Sequence, residues 1–174
     1  LMPPRPSKNT ANNFVAHLSL FLIMNTLQLP KVIIHNSKTD AILRFHPWIF
    51  SGAVKSKDGT IKNDTLVEVV NERGKFLAIG YFTESNIAVR ILSFTPIESL
   101  QQLFEEKINN AFEARKIIGL TDNATTNAYR LIHAEGDGIP GLIIDFYNGV
   151  CVVQAHSVFI AKQMTLIADC LQKV

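Results

Sequence analysis

Leu66-Val-Glu-Val-Val-Asn-Glu-Arg-Gly-Lys-Phe-Leu-Ala-Ile-Gly-Tyr-Phe82 is the stretch that decides the fold. β-Branched and aromatic residues fill two runs, Leu66–Val70 and Lys75–Phe82, on either side of a short turn that contains Gly74. This pattern predicts a β-hairpin.

Further short strands are predicted on both sides of the hairpin. They are Lys31–His35, Trp48–Phe50, Ala53–Val54 and the alternating run Ile87–Phe94. A short helix over Asp40–Phe45 is expected to end before Pro47, because proline disfavours helical backbone at the preceding residue. Five or so short strands in one segment are typical of a small closed or partly closed barrel.

The composition excludes several classes of protein. Apolar residues make up 47% and charged residues 18% of the 174 residues, so the chain can bury a core and is not disordered. Two cysteines exclude a disulfide scaffold and a four-cysteine zinc site. Because no apolar run approaches the roughly 18 residues of a spanning helix, we expect a small, soluble, cytoplasmic protein with no membrane partner.

Charge is distributed unevenly along the chain. Residues 31–94 carry nine Lys or Arg against six Asp or Glu, whereas residues 95–174 carry six against nine. This asymmetry predicts two modules, of which the first is basic enough to bind an anion.

Residues 1–30 differ in composition from the rest, with a proline- and asparagine-rich start followed by an apolar run, and we interpret them as an N-terminal extension. A signal peptide is disfavoured, because His17 and Ser19 interrupt the apolar run Phe14–Met24 and no small-x-small cleavage site follows it. The alternatives are an over-long start, with translation beginning at Met24, and a natural extension that packs on the domain.

Cations and aromatic residues are interleaved around Trp48. They are Arg44, Phe45, His46, Trp48, Phe50, Lys55 and Lys57. Cations can neutralise phosphates, and aromatic rings can stack on unpaired bases. The alternative interpretation is structural, and for Trp48 we expect a core position. Gly52 is expected to allow a close backbone approach or a positive φ, with a plain turn as the equal alternative. Arg73 and Arg90 are two further candidates for contact with phosphate.

Three stretches together resemble a bacterial family of ribosomal RNA methyltransferases. They are Arg44-Phe-His-Pro-Trp-Ile-Phe-Ser-Gly-Ala-Val54, Asn71-Glu-Arg-Gly-Lys-Phe-Leu-Ala-Ile-Gly-Tyr-Phe82 with Ile87–Phe94, and Tyr129-Arg-Leu-Ile-His-Ala-Glu-Gly-Asp-Gly-Ile-Pro-Gly-Leu-Ile-Ile-Asp145. They occur here in the order in which they occur in the family. The resemblance implies an N-terminal PUA domain, which is a small RNA-binding pseudo-barrel, over residues 31–94.

The resemblance also implies an activity that these residues do not carry by themselves. The family methylates carbon 5 of a cytosine in 23S rRNA, with S-adenosylmethionine and a cysteine nucleophile held in a C-terminal Rossmann-like domain. We expect no catalytic, cofactor-binding or metal-binding residue in this chain. We expect a truncated middle domain over residues 127–174, whose unpaired sheet edge favours a homodimer.

A helix is predicted to connect the two modules. Thr95 is expected to cap it and Pro96 to occupy its first position, and Gly119 is expected to stop a helix that runs over about residues 96–118. We interpret residues 95–126 as a linker helix and loop.

The second module is predicted to contain strands at Tyr129–Ala134, Leu142–Phe146 and Val150–His156. Asn148-Gly149 predicts a hairpin between the last two strands. Ser157 is expected to cap a helix that is still running at Val174. The whole chain is therefore assigned to the α+β class, with a PUA-like pseudo-barrel, a linker helix and a partial α+β domain.

The second module also contains a formal match to a dinucleotide-binding motif, Gly136-Asp-Gly-Ile-Pro-Gly141. That motif works where the glycine turn opens a helix, whereas a strand is expected after Gly141. We interpret Gly136, Asp137, Gly138, Pro140 and Gly141 as a structural turn between strands, with Asp137 bonding local amides.

The remaining chemical groups of the second module receive structural interpretations. Glu135, Asp137 and Asp145 are expected to cap turns or lie at solvated edges, although a metal site or an acid/base pair is the alternative. Cys151 and Cys170 are both expected to be buried as small apolar residues.

Two hypotheses compete with that of a truncated RNA methyltransferase. One is a stand-alone RNA-binding protein, and the other is an interaction or scaffold module that binds no RNA and whose aromatic residues all lie in the core.

Overall fold

A computed structural model describes residues 28–174, which form an α+β structure of nine strands and four helices. The strands are β1 (Lys31–Ile34), β2 (Trp48–Phe50), β3 (Val54–Lys57), β4 (Thr65–Asn71), β5 (Phe76–Phe82), β6 (Ile87–Ser93), β7 (Ala128–His133), β8 (Leu142–Tyr147) and β9 (Val150–Ala155). The helices are α1 (Asp40–Leu43), α2 (Leu100–Ile117), α3 (Val158–Lys162) and α4 (Met164–Leu171).

The first six strands form one curled sheet in the order β2-β6-β5-β4-β1-β3. A short 3-10 turn, Ser51–Ala53, joins β2 to β3, so the two end strands of the sheet are consecutive in the chain. β4 and β5 form the predicted antiparallel hairpin, and β1 pairs with β4 in parallel. The predicted fold class, with its partly closed barrel, is confirmed.

The inner face of the curled sheet encloses an apolar core. Ile42 of α1 and Ile49 of β2 are both almost completely buried there. The strands β1, β4, β5 and β6 supply most of the remaining members of this core. Burial of these side chains is the main stabilising contribution to the barrel.

The outer face of β5 and β6 belongs to a second core, which contains α2, the second sheet and the C-terminal helices. Tyr81 of β5 stacks on Phe159 of α3, with ring centroids 4.4 Å apart and planes within 3°. The Tyr81 hydroxyl donates a hydrogen bond to the carbonyl of Pro140 at 3.1 Å. The barrel and the second module therefore share buried surface.

Helix α2 begins later than the sequence pattern predicts. Ser99 caps it by accepting a hydrogen bond from the Gln102 amide at 3.1 Å. Thr95 does not cap the helix, since the helix begins five residues later and the Thr95 hydroxyl lies 3.2 Å from the Ser93 hydroxyl. Pro96 consequently lies before the helix. The predicted stop at Gly119 is confirmed, with φ of +76°.

The second sheet has the strand order β7-β8-β9. Asn148 and Gly149 both adopt positive φ in the turn from β8 to β9, as the Asn-Gly pair predicts. Ser157 caps α3 as expected. The prediction of one helix still running at Val174 is wrong, since the helix is interrupted at Gln163 and α4 ends at Leu171.

The interpretations of the N-terminal extension fall on residues 1–27, which lie outside the described residues. No helix within residues 28–174 has the length and hydropathy needed to cross a bilayer.

Candidate nucleic-acid interface

The connection from α1 to β2 sets the position of the aromatic residues. Phe45 has φ of +62°, which reverses the chain direction after the helix. The His46 amide donates to the carbonyl of Ala41 at 3.0 Å, and the carbonyl of Pro47 accepts from the Ile91 amide at 2.8 Å. These two bonds fix both ends of the turn, so that β2 joins the edge of the sheet.

His46, Trp48 and Phe50 form what we call the aromatic ridge. The ring centroid of His46 lies 6.1 Å from that of Trp48 and 6.3 Å from that of Phe50. Trp48 and Phe50 are 6.5 Å apart and perpendicular. Phe50 is 51% exposed, whereas Ile49 between them is 2% exposed and points into the barrel. The ridge therefore lies on the outside of the barrel.

The expectation that Trp48 is a core residue is wrong. Its side chain is partly exposed, because Ile49 supplies the apolar anchor of this strand. Trp48 instead lies opposite Arg90 of β6, and its indole N–H donates to Glu135 Oε1 at 2.9 Å. Trp48 thus connects the ridge to the second module, and part of its surface remains available to solvent.

Lys55 and Arg73 lie at another part of the barrel, around the turn between β4 and β5. Lys55 Nζ is 3.3 Å from Glu72 Oε1, and His35 Nδ1 is 3.2 Å from the same oxygen. The ammonium of Lys55 holds the pKa of Glu72 below its ordinary value, with a smaller contribution from His35. Arg73 follows Glu72 directly and is exposed. Glu72 partly neutralises this predicted patch.

Lys57 lies near the turn between β5 and β6. Its Nζ lies 3.5 Å from Glu84 Oε1 and 4.4 Å from the centroid of the Phe82 ring, over which it forms a cation–π contact.

Arg90 lies between Trp48 and Tyr81 on the outer face of the sheet. Its Nη1 is 3.4 Å from Thr83 Oγ1, and its guanidinium carbon lies 6.0 Å from the Tyr81 ring centroid. The partly buried Arg90 thus links the ridge to the interface with the second module.

Arg44 and Gly52 flank the ridge in sequence. Arg44 is exposed at the end of α1, two residues before His46. Gly52 does not have a positive φ, and a Cβ there would meet no atom of the described chain within 4 Å, so the alternative of a plain turn is the one that the structure shows. Gly52 occupies a plain turn.

The glycine-rich stretch forms the structural turn that we expected. Gly136 and Asp137 end a 3-10 turn, Gly138 has φ of +71°, and the buried Pro140 leads directly into β8. Asp137 accepts a hydrogen bond from the His133 amide, as predicted. It also forms a bidentate ion pair with Arg115 of α2, at 2.6 and 2.8 Å.

Two further carboxylates of the second module have partners of their own. Glu135 accepts from Trp48, as described above. Asp145 forms an ion pair with Arg130, with Oδ1 2.8 Å from Nε. The hydrogen bond from Arg130 lowers the pKa of Asp145. Both carboxylates therefore have structural roles, as the sequence analysis expects.

The two cysteines differ in exposure. Cys170 is completely buried, as predicted, whereas the prediction for Cys151 is wrong because it lies on the exposed edge strand β9. Desolvation raises the pKa of both thiols above its ordinary value. A raised thiol pKa is the opposite of what a cysteine nucleophile requires.

The sequence does not predict the surroundings of three residues, Phe45, Arg115 and Glu135. Phe45 belongs to the cluster of cations and aromatic residues around Trp48, but nothing nearby in sequence indicates that it is 70% exposed or that its ring centroid lies 5.1 Å from that of Phe94. Glu135 binds Trp48 of the barrel, 87 residues away, and Arg115 of α2 binds Asp137, 22 residues away. No local pattern predicts such pairs.

Comparison with known proteins first gives the class of the barrel. Residues 32–94 match the family described as a PUA-like domain. The match includes the aromatic ridge together with Lys55, Lys57, Arg73 and Arg90, so these residues all lie on a PUA-like barrel.

The chain is similar in sequence to proteins named ribosomal RNA large subunit methyltransferase I. It is 33% identical over 144 residues to the protein of that name from Escherichia coli (strain SMS-3-5 / SECEC). The alignment covers 82% of this chain and 36% of the relative. It is 32% identical over 147 residues to the Klebsiella pneumoniae protein of that name, with 83% and 36% covered. The chain thus spans about a third of the length of these relatives.

Solved structures agree in fold. A SAM-dependent methyltransferase from Streptococcus mutans superposes with a TM-score of 0.71 at 18% identity, over 83% of this chain and 37% of that one. A methyltransferase crystallised in complex with SAH gives the same values. At this identity the likeness concerns the fold alone.

Proposed function

We propose that this chain is the RNA-binding part of a SAM-dependent rRNA methyltransferase that modifies carbon 5 of a cytosine in 23S rRNA. The observation that carries the proposal is the exposed aromatic ridge on a PUA-like barrel, with Arg44 and Arg90 beside it. The names of the relatives support rRNA as the class of partner. An rRNA partner is consistent with a cytoplasmic location, which is part of the proposal.

The arrangement of groups suits structured RNA with unpaired bases. Phe50 and His46 offer exposed ring surface for stacking, which in RNA-binding proteins is worth about 1–3 kcal/mol per base. Arg44 lies beside them for phosphate contact. Lys55 and Lys57 each have a partly exposed carboxylate partner, which a phosphate can replace at little cost because exposed ion pairs are weak.

The residues present do not fit S-adenosylmethionine. The glycine-rich turn opens strand β8, whereas in a dinucleotide-binding motif it opens a helix. Lys107 occupies the space beside Gly138, and Ser157 and Tyr81 occupy the space beside Gly141. We therefore assign methyl transfer to the parent protein outside residues 28–174, and to the chain the role of positioning RNA.

Titration with a fragment of 23S rRNA at several salt concentrations tests the proposal. We expect affinity to fall steeply as salt rises, because phosphate neutralisation releases counterions. A variant with Arg44→Ala, Lys55→Ala and Lys57→Ala should bind more weakly and show a shallower salt dependence.

The matched control removes three cations that lie outside the barrel, in Lys116→Ala, Lys162→Ala and Lys173→Ala, and changes net charge equally. Equal effects of the two triple variants would contradict the contact assignment. Absence of salt-dependent RNA binding by the unaltered protein would favour the scaffold alternative. A stand-alone RNA-binding protein remains the second candidate, and a reading frame without a downstream methyltransferase domain would favour it.

A further inference from the structure

A cavity of about 530 Å³ lies between the barrel and helix α2, and we call it the barrel–helix cleft. Phe45 and Phe94 line it from the barrel, and Glu106 and Lys107 line it from α2. Glu135 closes it from the second module. The volume is in the range of small-ligand sites, roughly 300–1,000 Å³.

The barrel side of the cleft presents an exposed ring in a strained conformation. Phe45 is 70% exposed and has φ of +62°. Bulky residues rarely adopt positive φ, and those that do concentrate at functional sites. The ring centroids of Phe45 and Phe94 lie 5.1 Å apart with their planes nearly perpendicular, and this contact leaves most of Phe45 open to solvent. This is the geometry of a stacking platform.

The opposite side of the cleft carries hydrogen-bond acceptors. Glu98 and Glu106 line it, and Gln102 and Asn110 of α2 lie among them. Lys107, whose pKa is lowered by burial, is the single cation of the lining. A lining with more carboxylates than cations disfavours a phosphate inside the cleft. Carboxylates accept hydrogen bonds from N–H groups, for example from the amino group of cytosine. The lining therefore favours a ligand that carries an N–H donor.

We propose that the barrel–helix cleft binds one unpaired nucleotide of RNA whose base carries an exocyclic amine. The base stacks on Phe45, its amino edge donates to Glu106, and its phosphates stay outside, beside the exposed Arg44. Uracil is disfavoured, because a carbonyl oxygen takes the place of the amino group and would face the Glu106 carboxylate. This assignment rests on the proposed RNA-binding function. It adds the class of nucleotide that the barrel–helix cleft selects.

The test uses short oligouridines that carry one central adenine, cytosine or guanine, with 2-aminopurine as a fluorescent substitute for adenine. We expect an amino-bearing central base to tighten binding relative to plain oligouridine. Phe45→Gly should weaken that binding by about tenfold, which corresponds to a stack of roughly 1.4 kcal/mol. It should also abolish the quenching of 2-aminopurine. Glycine adopts a positive φ readily, so this variant should fold.

Matched controls separate recognition from other effects. Leu43→Ala removes an equally accessible apolar side chain, 60% exposed, that lies outside the cleft, and it should leave binding unchanged. Glu106→Gln should reduce discrimination between bases, whereas a purely electrostatic effect would tighten binding of all oligonucleotides. Glu113→Gln, on the same helix but outside the cleft, should preserve discrimination.

Either of two results would overturn this inference and leave the proposed function standing, provided that the protein still binds the 23S rRNA fragment with salt dependence. One is equal affinity for all central bases, and the other is unchanged binding by Phe45→Gly. Failure to bind that fragment would instead overturn the proposed function.

Discussion

Replacement of Gly141 by alanine tests whether the glycine-rich turn serves packing. Gly141 has φ of +81°, and a Cβ there would lie 3.0 Å from Ser157 Oγ and 3.2 Å from Tyr81 Oη. Both oxygens already have structural roles, since Ser157 caps α3 and Tyr81 donates to Pro140. The alanine methyl group would therefore disturb two contacts as well as strain the backbone.

The magnitude follows from these contributions. Left-handed backbone costs a non-glycine residue roughly 1–2 kcal/mol. Loss of the buried Tyr81 hydrogen bond adds about 1 kcal/mol, and a weakened cap at Ser157 adds about 0.5–2 kcal/mol. We expect Gly141→Ala to lower the free energy of unfolding by about 3 kcal/mol.

Gly74→Ala is the matched control. Gly74 has a similar φ of +74°, but a Cβ there would meet nothing within 4 Å. This variant should lose only the backbone contribution, roughly 1–2 kcal/mol.

Urea denaturation of both variants, followed by circular dichroism and by the fluorescence of the single tryptophan, Trp48, measures the difference. Equal losses of stability in the two variants would refute the reasoning, because the crowding at Gly141 would then contribute nothing.

Three other perturbations test separate features. Arg130 lowers the pKa of Asp145 in the folded protein. The stabilisation from this ion pair is therefore fully present above the unfolded-state pKa of about 4 and is lost as pH falls through the lower folded-state pKa. Asp145→Asn should flatten the acid limb of a stability–pH curve, and an unchanged limb would contradict the ion pair. Val152 is 43% exposed on the edge strand β9, and we expect concentration-dependent self-association in light scattering that Val152→Lys abolishes; a constant monomer mass for the unaltered protein would exclude the homodimer. Trp48→Phe removes the donor to Glu135 and should lower the free energy of unfolding by about 1 kcal/mol, whereas an unchanged thermal midpoint in circular dichroism would show that this hydrogen bond is dispensable.

Local chemistry explains which parts of the fold could be predicted from the sequence. Asn148-Gly149 dictates its own hairpin, because both residues tolerate positive φ. The Ser157 cap and the stop at Gly119 depend on neighbouring backbone groups only. The start of α2 also has a local signal, since Ser99 and Gln102 match the spacing of a capping box, but Thr95 and Pro96 form a competing signal four residues earlier.

The features that could not be predicted depend on contacts distant in sequence. Trp48 follows a proline at the start of a strand, and nothing nearby shows that Ile49 takes the core position while Glu135 binds the indole. The sequence also shows that the candidate cations are close to aromatic residues along the chain. It does not show that Lys55 pairs with Glu72, that Lys57 pairs with Glu84 or that Arg90 lies on the outer face, because these positions depend on how the sheet curls.

The stacking of Tyr81 on Phe159 has a consequence for how the protein responds to change. A barrel strand and a C-terminal helix present one continuous aromatic contact, so neither half keeps its native surface once the other is lost. We expect the two halves to melt in a single cooperative transition. Natural variation at one ring should therefore be accompanied by compensating variation at the other.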